Sequence, residues 1–227
     1  VRTKPQLTID ALVEEARAFC QSMSKAVIPA LFGVTDGKAV GTFIEHEFRD
    51  RLLAKYDYEV GSSANGIDMP SEAVNTDIKV TSVKQPQSSC PFRNARQKIY
   101  GLGYNLLVFV YDKTDYSRRK AAQLNFVSCL FIHANRTADY QTTRTLGQML
   151  RNNANADDVI AYLTDRNLPA DEITMTGLAK EILATPPEQG YLTISNALQW
   201  RLQYGRVVEL AEPVEGIIPI VGRAVAG

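Results

Sequence analysis

The sequence predicts an α/β protein that ends in a mainly helical part. Apolar residues recur at helical spacing through the first 55 positions, β-branched and apolar runs follow between residues 76 and 132, and helical spacing returns beyond residue 136. We therefore expect residues 1–136 to form one α/β core and residues 137–227 a mainly helical subdomain. With 45% hydrophobic residues in 227, the chain can bury a substantial core without staples.

Thr8 suits the cap of a first helix reaching Ser24, because Leu12, Ala16, Phe19 and Cys20 share one face and Asp10 sits near the positive end of the dipole. A glycine-rich turn from Gly33 to Gly37 ends it. A second helix is expected from Lys38 to Lys55, with Phe48 and Leu52 four apart. Glu45, three residues before Phe48, falls on or beside the inward face, whereas Glu47 belongs to the solvated side.

Thr76 to Val83 is rich in β-branched residues and reads as a strand. Its period of two puts Asp77, Lys79 and Thr81 on one face and Ile78, Val80 and Ser82 on the other. Asn94 to Gly103 reads as helical, and Leu106 to Tyr111 and Phe126 to Ile132 as apolar strands buried on both faces. Helices are then expected near 145–152, 157–165, 176–183 and 195–204, with a strand at 206–210. The third and fourth of these, about a turn at Gly190, have the outline of a helix-turn-helix whose DNA contacts would be Gln199, Arg201 and Gln203. Ordinary packing or a dimer contact is the simpler role for them in so acidic a half.

Several classes of protein are disfavoured. No apolar run approaches the roughly 18 to 20 residues that span a bilayer, and no signal-type block opens the sequence, so we expect a cytoplasmic protein. Cys20, Cys90 and Cys129 are odd in number and far apart, which suits buried thiols better than a disulfide framework or zinc site. His46 and His133 have no metal-finger spacing, and Gly101-Leu102-Gly103 precedes a strand where a nucleotide loop would follow one.

The formal net charge is zero, yet its distribution is uneven. From Ile78 to Tyr111 there is no acidic residue, while Lys79, Lys84, Arg93, Arg96 and Lys98 supply five positive charges. The segment from Lys84 to Lys98 also carries Gln87 and Asn94, and cations mixed with amides are the side chains that neutralise phosphates and read base edges. We take Lys84, Gln87, Arg93, Asn94, Arg96 and Lys98 as its candidate contacts to DNA.

An acid-x-Lys triplet occurs twice, at Asp36-Gly37-Lys38 and at Asp77-Ile78-Lys79. The first lies in a turn between helices, which does not align its side chains; the second lies in a strand, which does. Phosphodiester hydrolysis needs a hard cation held by few carboxylates, and Asp68 and Asp77 can supply them. Lys79 would stand beside the attacking water, where an ammonium orients it and offsets developing charge.

With those residues in place, Gly41-Thr42-Phe43-Ile44-Glu45, Gly66-Ile67-Asp68 and Asp77-Ile78-Lys79-Val80-Thr81-Ser82 resemble the PD-(D/E)xK nuclease superfamily, and type II restriction endonucleases in particular. The similarity spans residues 38–112. It implies a restriction-endonuclease-like core, that is, a mixed central sheet flanked by helices, acting on double-stranded DNA with Mg²⁺ and leaving 5′-phosphate and 3′-hydroxyl ends. It further implies metal binding by Asp68 and Asp77, a catalytic Lys79, and Glu45 as an auxiliary metal or catalytic residue. The chain departs from the name motif in having Ile67 in place of proline, and in its short spacing from Asp68 to Asp77.

Two rival readings stand beside this one: a repair or recombination nuclease that recognises DNA structure, and a non-catalytic helix-turn-helix regulator. Discrete cleavage of duplex DNA on addition of Mg²⁺ separates all three. A homodimer is expected, since one site cuts one strand and a symmetric duplex target is met by two copies.

Overall fold

The computed structural model describes residues 3–61, 66–91, 93–195 and 200–222. Helix α1 (Ile9–Met23) starts where Thr8 Oγ1 accepts the amide of Ala11 at 3.2 Å, and α2 (Gly37–Lys55) where the Asp36 carboxylate accepts that of Lys38 at 3.0 Å. Asp36, from the discarded acid-x-Lys triplet, is thus a helix cap, worth about 1 kcal/mol. The elements that follow are β1 (Thr76–Ser82), β2 (Gln87–Cys90), α3 (Gln97–Tyr100), β3 (Asn105–Tyr116), β4 (Ala121–Ile132), α4 (Tyr140–Arg151), α5 (Ala156–Asp165) and α6 (Glu172–Ala184). After them come β5 (Thr193–Ser195), β6 (Trp200–Gln203), α7 (Gly205–Val208) and β7 (Ile217–Val221).

The central sheet has the order β1-β3-β4-β7, with β1 parallel to β3 and the other pairs antiparallel. This is the α/β class that the sequence predicts and the mixed central sheet that the resemblance implies. A smaller antiparallel sheet, β2-β6-β5, packs on one face of it. The alternate face is covered by α1 and α2, whose apolar stripes meet Ile78, Leu107, Phe109 and Phe131. Phe48 bridges the layers, with ring centroids 5.1 Å from Phe19 and 5.2 Å from Phe109 in tilted and edge-on contacts. Between the sheets lie Leu106, Val108, Val110, Leu130 and Ile132 from the large one and Cys90, Ile194, Trp200 and Leu202 from the small one. A third cluster joins α4, α5 and α6 to Ala95 and Ile99.

Several elements differ from the sequence expectation. Of the helix expected over 195–204, the described residues up to Gln203 are instead strand: Ser195 ends β5 and Trp200–Gln203 form β6, while 196–199, and so Gln199, lie outside the described residues. Trp200, Leu202 and Tyr204 are buried while Arg201 and Gln203 are exposed, a period of two that gains more by covering the central sheet than by coiling. Among the described residues, therefore, no second helix of a helix-turn-helix stands at this place. The strand expected at 206–210 is instead the helical turn α7, where only Val207 is buried within 205–208. The helix expected over 94–103 shrinks to α3, because Gly101 takes φ 90° and a side chain on it would meet the Ala134 carbonyl. The apolar strands lengthen toward the turn that joins them, so that β3 and β4 form a long hairpin closed by Lys120 at φ 48°.

The chain beyond residue 136 is helical from 140 to 184 apart from short links, then returns to both sheets through β5, β6 and β7. The apolar run ending at Val221 is β7, paired with β4 at the edge of the central sheet. Cys20, Cys90 and Cys129 are all buried free thiols. Among the described residues no helix is long and apolar enough to cross a membrane.

Candidate active site

The site grows from one edge strand. On β1, Asp77, Lys79 and Thr81 pair in register with Leu106, Val108 and Val110 of β3, so they share the face that looks toward the small sheet. Ile78 packs with α1 and α2 on the other face. The chain before β1 folds back on it: Met69 and Thr76 exchange backbone hydrogen bonds of 3.0 and 2.9 Å. That antiparallel bridge brings residues 68 and 77 beside one another. Asp68 Oδ2 then accepts the amide of Ile78 at 2.7 Å, which fixes its carboxylate against β1.

Asp77 is only 4% exposed. The Lys79 ammonium lies 2.7 Å from its Oδ2, close enough for an ion pair but outside hydrogen-bond geometry, so that this oxygen is neutralised without a well-aligned donor. Burial pushes the Asp77 carboxyl up to about 7; Lys79 opposes that rise, and the neighbouring Asp68 carboxyl adds to it. Burial pulls the Lys79 ammonium down, but the charge of Asp77 outweighs it and leaves Lys79 above the usual lysine range. The pair is thus a firm cation beside a carboxylate that resists ionising.

Glu45 reaches the site from α2. It lines a small cleft of about 70 Å³ with Arg49, Tyr58, Asp68 and Ile78. Burial raises its carboxyl above the ordinary range, as does Asp68, while Lys79 and Arg49 act in the opposite sense. The four residues singled out in the sequence are therefore electrostatic neighbours. Among the described residues no three His, Cys, Asp or Glu side chains converge into a cage for an ion.

Sequence reasoning missed the surroundings. Arg49 stands one helical turn after Glu45, a spacing that puts both on one face of α2 and could have flagged it. Tyr58 carries no such signal; burial pushes its hydroxyl up to about 12. Cys90 and Tyr104 lie close to Asp77 on the other side, where burial raises both, Cys90 to about 11. β2 of the small sheet brings Cys90 there, and the chain entering β3 of the central sheet brings Tyr104.

The candidate DNA contacts divide into two groups. Lys84, Arg93 and Asn94 are exposed, and Gln87 is half-buried on β2. Arg96 instead holds Glu181 of α6 at 2.7 Å and lies over the Tyr100 ring. Lys98 is 8% exposed, packed 6.0 Å from the centroid of the Trp200 ring. The β1 to β2 link is held by Thr81 Oγ1, which accepts the Gln87 amide at 3.0 Å and lies 3.0 Å from its carbonyl.

A mixed sheet flanked by helices, carrying Asp-x-Lys on one edge strand and a second aspartate bonded to it, is the arrangement that the resemblance to restriction endonucleases implies. Residues 6–219 match the family model described as type II restriction enzyme NspV. The type II restriction enzyme NspV of Nostoc sp. (strain ATCC 29411 / PCC 7524) is 56% identical over 214 residues, which cover 94% of this chain and 96% of that protein. The chain belongs to this family of type II restriction enzymes, which makes it a site-specific deoxyribonuclease. No solved structure matches it.

Proposed function

We propose that the protein hydrolyses both strands of double-stranded DNA at a short sequence, with Mg²⁺ held by Asp68 and Asp77, and leaves 5′-phosphate and 3′-hydroxyl ends. The observation that carries this reading is the buried Asp77 beside Lys79 and Asp68. A carboxyl forced toward neutrality by burial and by a second carboxyl is relieved when a cation arrives, so the residues fit a metal. Two protein carboxylates are the number that Mg²⁺ commonly takes where phosphate and water complete its shell.

When bound, the metal supplies charge neutralisation at the phosphate and lowers the pKa of the attacking water. The chain's own groups do the rest. Lys79, held protonated, directs N–H groups toward the attacking oxygen and the phosphate oxygens. Glu45, with its raised carboxyl, supports the metal or Lys79 from α2 and keeps a proton acceptor in the cleft. Lys84 and Arg93 take phosphates along the exposed rim.

The working form is a homodimer, one site per strand. Incubating supercoiled plasmid with the protein tests the reading. Mg²⁺ gives discrete linear fragments, whereas Ca²⁺, with its looser shell, supports binding without cutting. Cleavage without any divalent ion, or a smear with no preferred site, overturns it.

A further inference from the structure

From the small sheet we infer that its outer face is the surface that reads the base edges of the target, with Arg201 and Gln203 of β6 as the central specificity-determining residues. This inference rests on the DNA-cleaving reading above and adds which residues choose the sequence. The registers Gln87↔Gln203↔Thr193 and Ser89↔Arg201↔Ser195 place six side chains in two rows on one face. The opposite face, with Cys90, Ile194, Trp200 and Leu202, is buried against the central sheet. Arg201, Gln203, Ser89 and Thr193 are exposed, Gln87 and Ser195 half-buried. All six are hydrogen-bonding residues, one is a cation and none is acidic, so the face matches the charge of DNA and the donors and acceptors of a groove.

Geometry joins this face to the cleavage site. Thr81 Oγ1 bonds the Gln87 backbone to the strand that carries Asp77 and Lys79. The Tyr204 amide donates to the Pro86 carbonyl at 2.8 Å, and the Tyr204 hydroxyl meets Ser88 Oγ at 2.6 Å, so β6 is locked to the same turn. Two neighbouring strands, about 4.8 Å apart, form the ribbon that a major groove about 12 Å wide admits. The groove is about 8.5 Å deep and stacked sheets lie about 10 Å apart, so a sheet whose outer face touches the groove floor carries the strand behind it to the level of the phosphates. Arg201 then pairs with guanine, and Gln203 and Gln87 with adenine, while Thr193 and Ser195 on the outer strand meet the sugar-phosphate rim.

The test is selection of bound duplexes from a random-sequence pool in Ca²⁺, so that the readout does not depend on cutting. The full-length protein is compared with Arg201→Ala, Arg201→Lys, Gln203→Ala and a rim control, Lys84→Ala. The wild type should enrich one motif. Arg201→Ala should lose about 5- to 150-fold of its preference at a G·C pair, and Gln203→Ala the same at an A·T pair, the range that a paired base contact carries. Lys84→Ala should keep the motif while binding every sequence more weakly. Unchanged motifs in both β6 variants overturn the inference, as does a uniform loss of affinity with a shallower salt slope, which marks phosphate contacts. A wild type that enriches a motif but cuts nothing in Mg²⁺ refutes the catalytic reading alone. Enrichment of no motif refutes the base-reading face. Thermal melts of the exposed-residue variants should match wild type and so separate reading from folding.

Discussion

The Lys79 ammonium sits 2.7 Å from Asp77 Oδ2 on the same face of one edge strand, and both groups hold their protons more firmly than usual. Removing either should abolish cleavage. In the proposed mechanism Asp77→Asn removes a metal donor and Lys79→Ala removes the cation beside the attacking water, so each is expected to lower kcat by at least about 100-fold. Asp36→Ala should leave kcat unchanged and cost about 1 kcal/mol in stability, because Asp36 caps α2. Single-turnover cleavage and thermal melts of the three variants check this, and an essential Asp36 would reverse the choice between the two triplets.

Metal affinity should depend on pH through Asp77. Because burial lifts its carboxyl to about 7, the metal-free protein carries a proton there below that pH, and a metal must displace it. The Mg²⁺ association constant should therefore fall about tenfold per pH unit below pH 7 and level off above it. Asp77→Asn should flatten the profile. Calorimetric titration from pH 5.5 to 8.5 measures both, and a flat wild-type curve would show that Asp77 is already ionised.

Stability should answer to a different carboxylate. Glu15 of α1 receives Arg51 Nε at 2.9 Å and Lys55 Nζ at 2.8 Å, with Tyr56 Oη at 3.3 Å. Burial alone would raise its carboxyl, but the bonds to Lys55 and Arg51 prevail and hold it below the usual glutamate range. A depressed folded-state pKa gives stability that is present above the unfolded value and lost as pH falls through the folded one. Glu15→Gln should thus cost about 1–3 kcal/mol at pH 7, seen as roughly 2–4 °C of Tm per kcal/mol. The gap to wild type should close below pH 4.5, the ordinary glutamate value. A gap that is the same at pH 4 and pH 7 would mean that shape, not charge, is what Glu15 contributes.

What could be read from the sequence follows the range of the interactions involved. Thr8 and α1, the face-sharing of Asp77 and Lys79, and the inward lean of Glu45 depend on residues a few positions apart, and the structure has each where local periodicity put it. Asp68 was harder, since its place depends on the Met69 to Thr76 bridge, yet the nine-residue spacing permitted a tight return. The small sheet was not legible, because Gln87 meets Gln203 across about half of the chain. Trp200 looked like part of a helix. Its indole N–H donates to Gln97 Oε1 at 3.1 Å, a partner that no local pattern could indicate. The same long-range packing explains why Lys98, read as an exposed cation, is buried beside that ring.

Exposed cations should act on affinity without choosing sequence. Lys84→Ala and Arg93→Ala are each expected to lower the slope of log affinity against log salt by about one unit. Arg96→Ala should move it less, because its guanidinium is engaged by Glu181; that pair is partly exposed, so its loss costs about 0–1 kcal/mol of stability. Filter binding in Ca²⁺ between 50 and 200 mM salt gives the slopes. An Arg96 variant with the largest change would place Arg96 on the phosphates with Glu181 released.

Cleavage of both strands should require two copies of the chain. Asp68, Asp77 and Lys79 form one cluster at one edge strand of each molecule, and a hydrolytic site of this kind acts on one phosphodiester at a time. Two copies related by a two-fold axis present the same cluster to both strands of a symmetric target, in a single encounter. Light scattering at micromolar protein should accordingly give twice the mass of one chain, with or without DNA. Mixed dimers make the functional version of the test. Wild type co-refolded with excess Asp77→Asn should convert supercoiled plasmid to nicked circles, because only one of the two sites can act, whereas wild type alone should pass directly to linear product. A protein that stays monomeric with DNA bound, and whose linear product is unaffected by the inactive partner, would show that one chain cuts the two strands in succession.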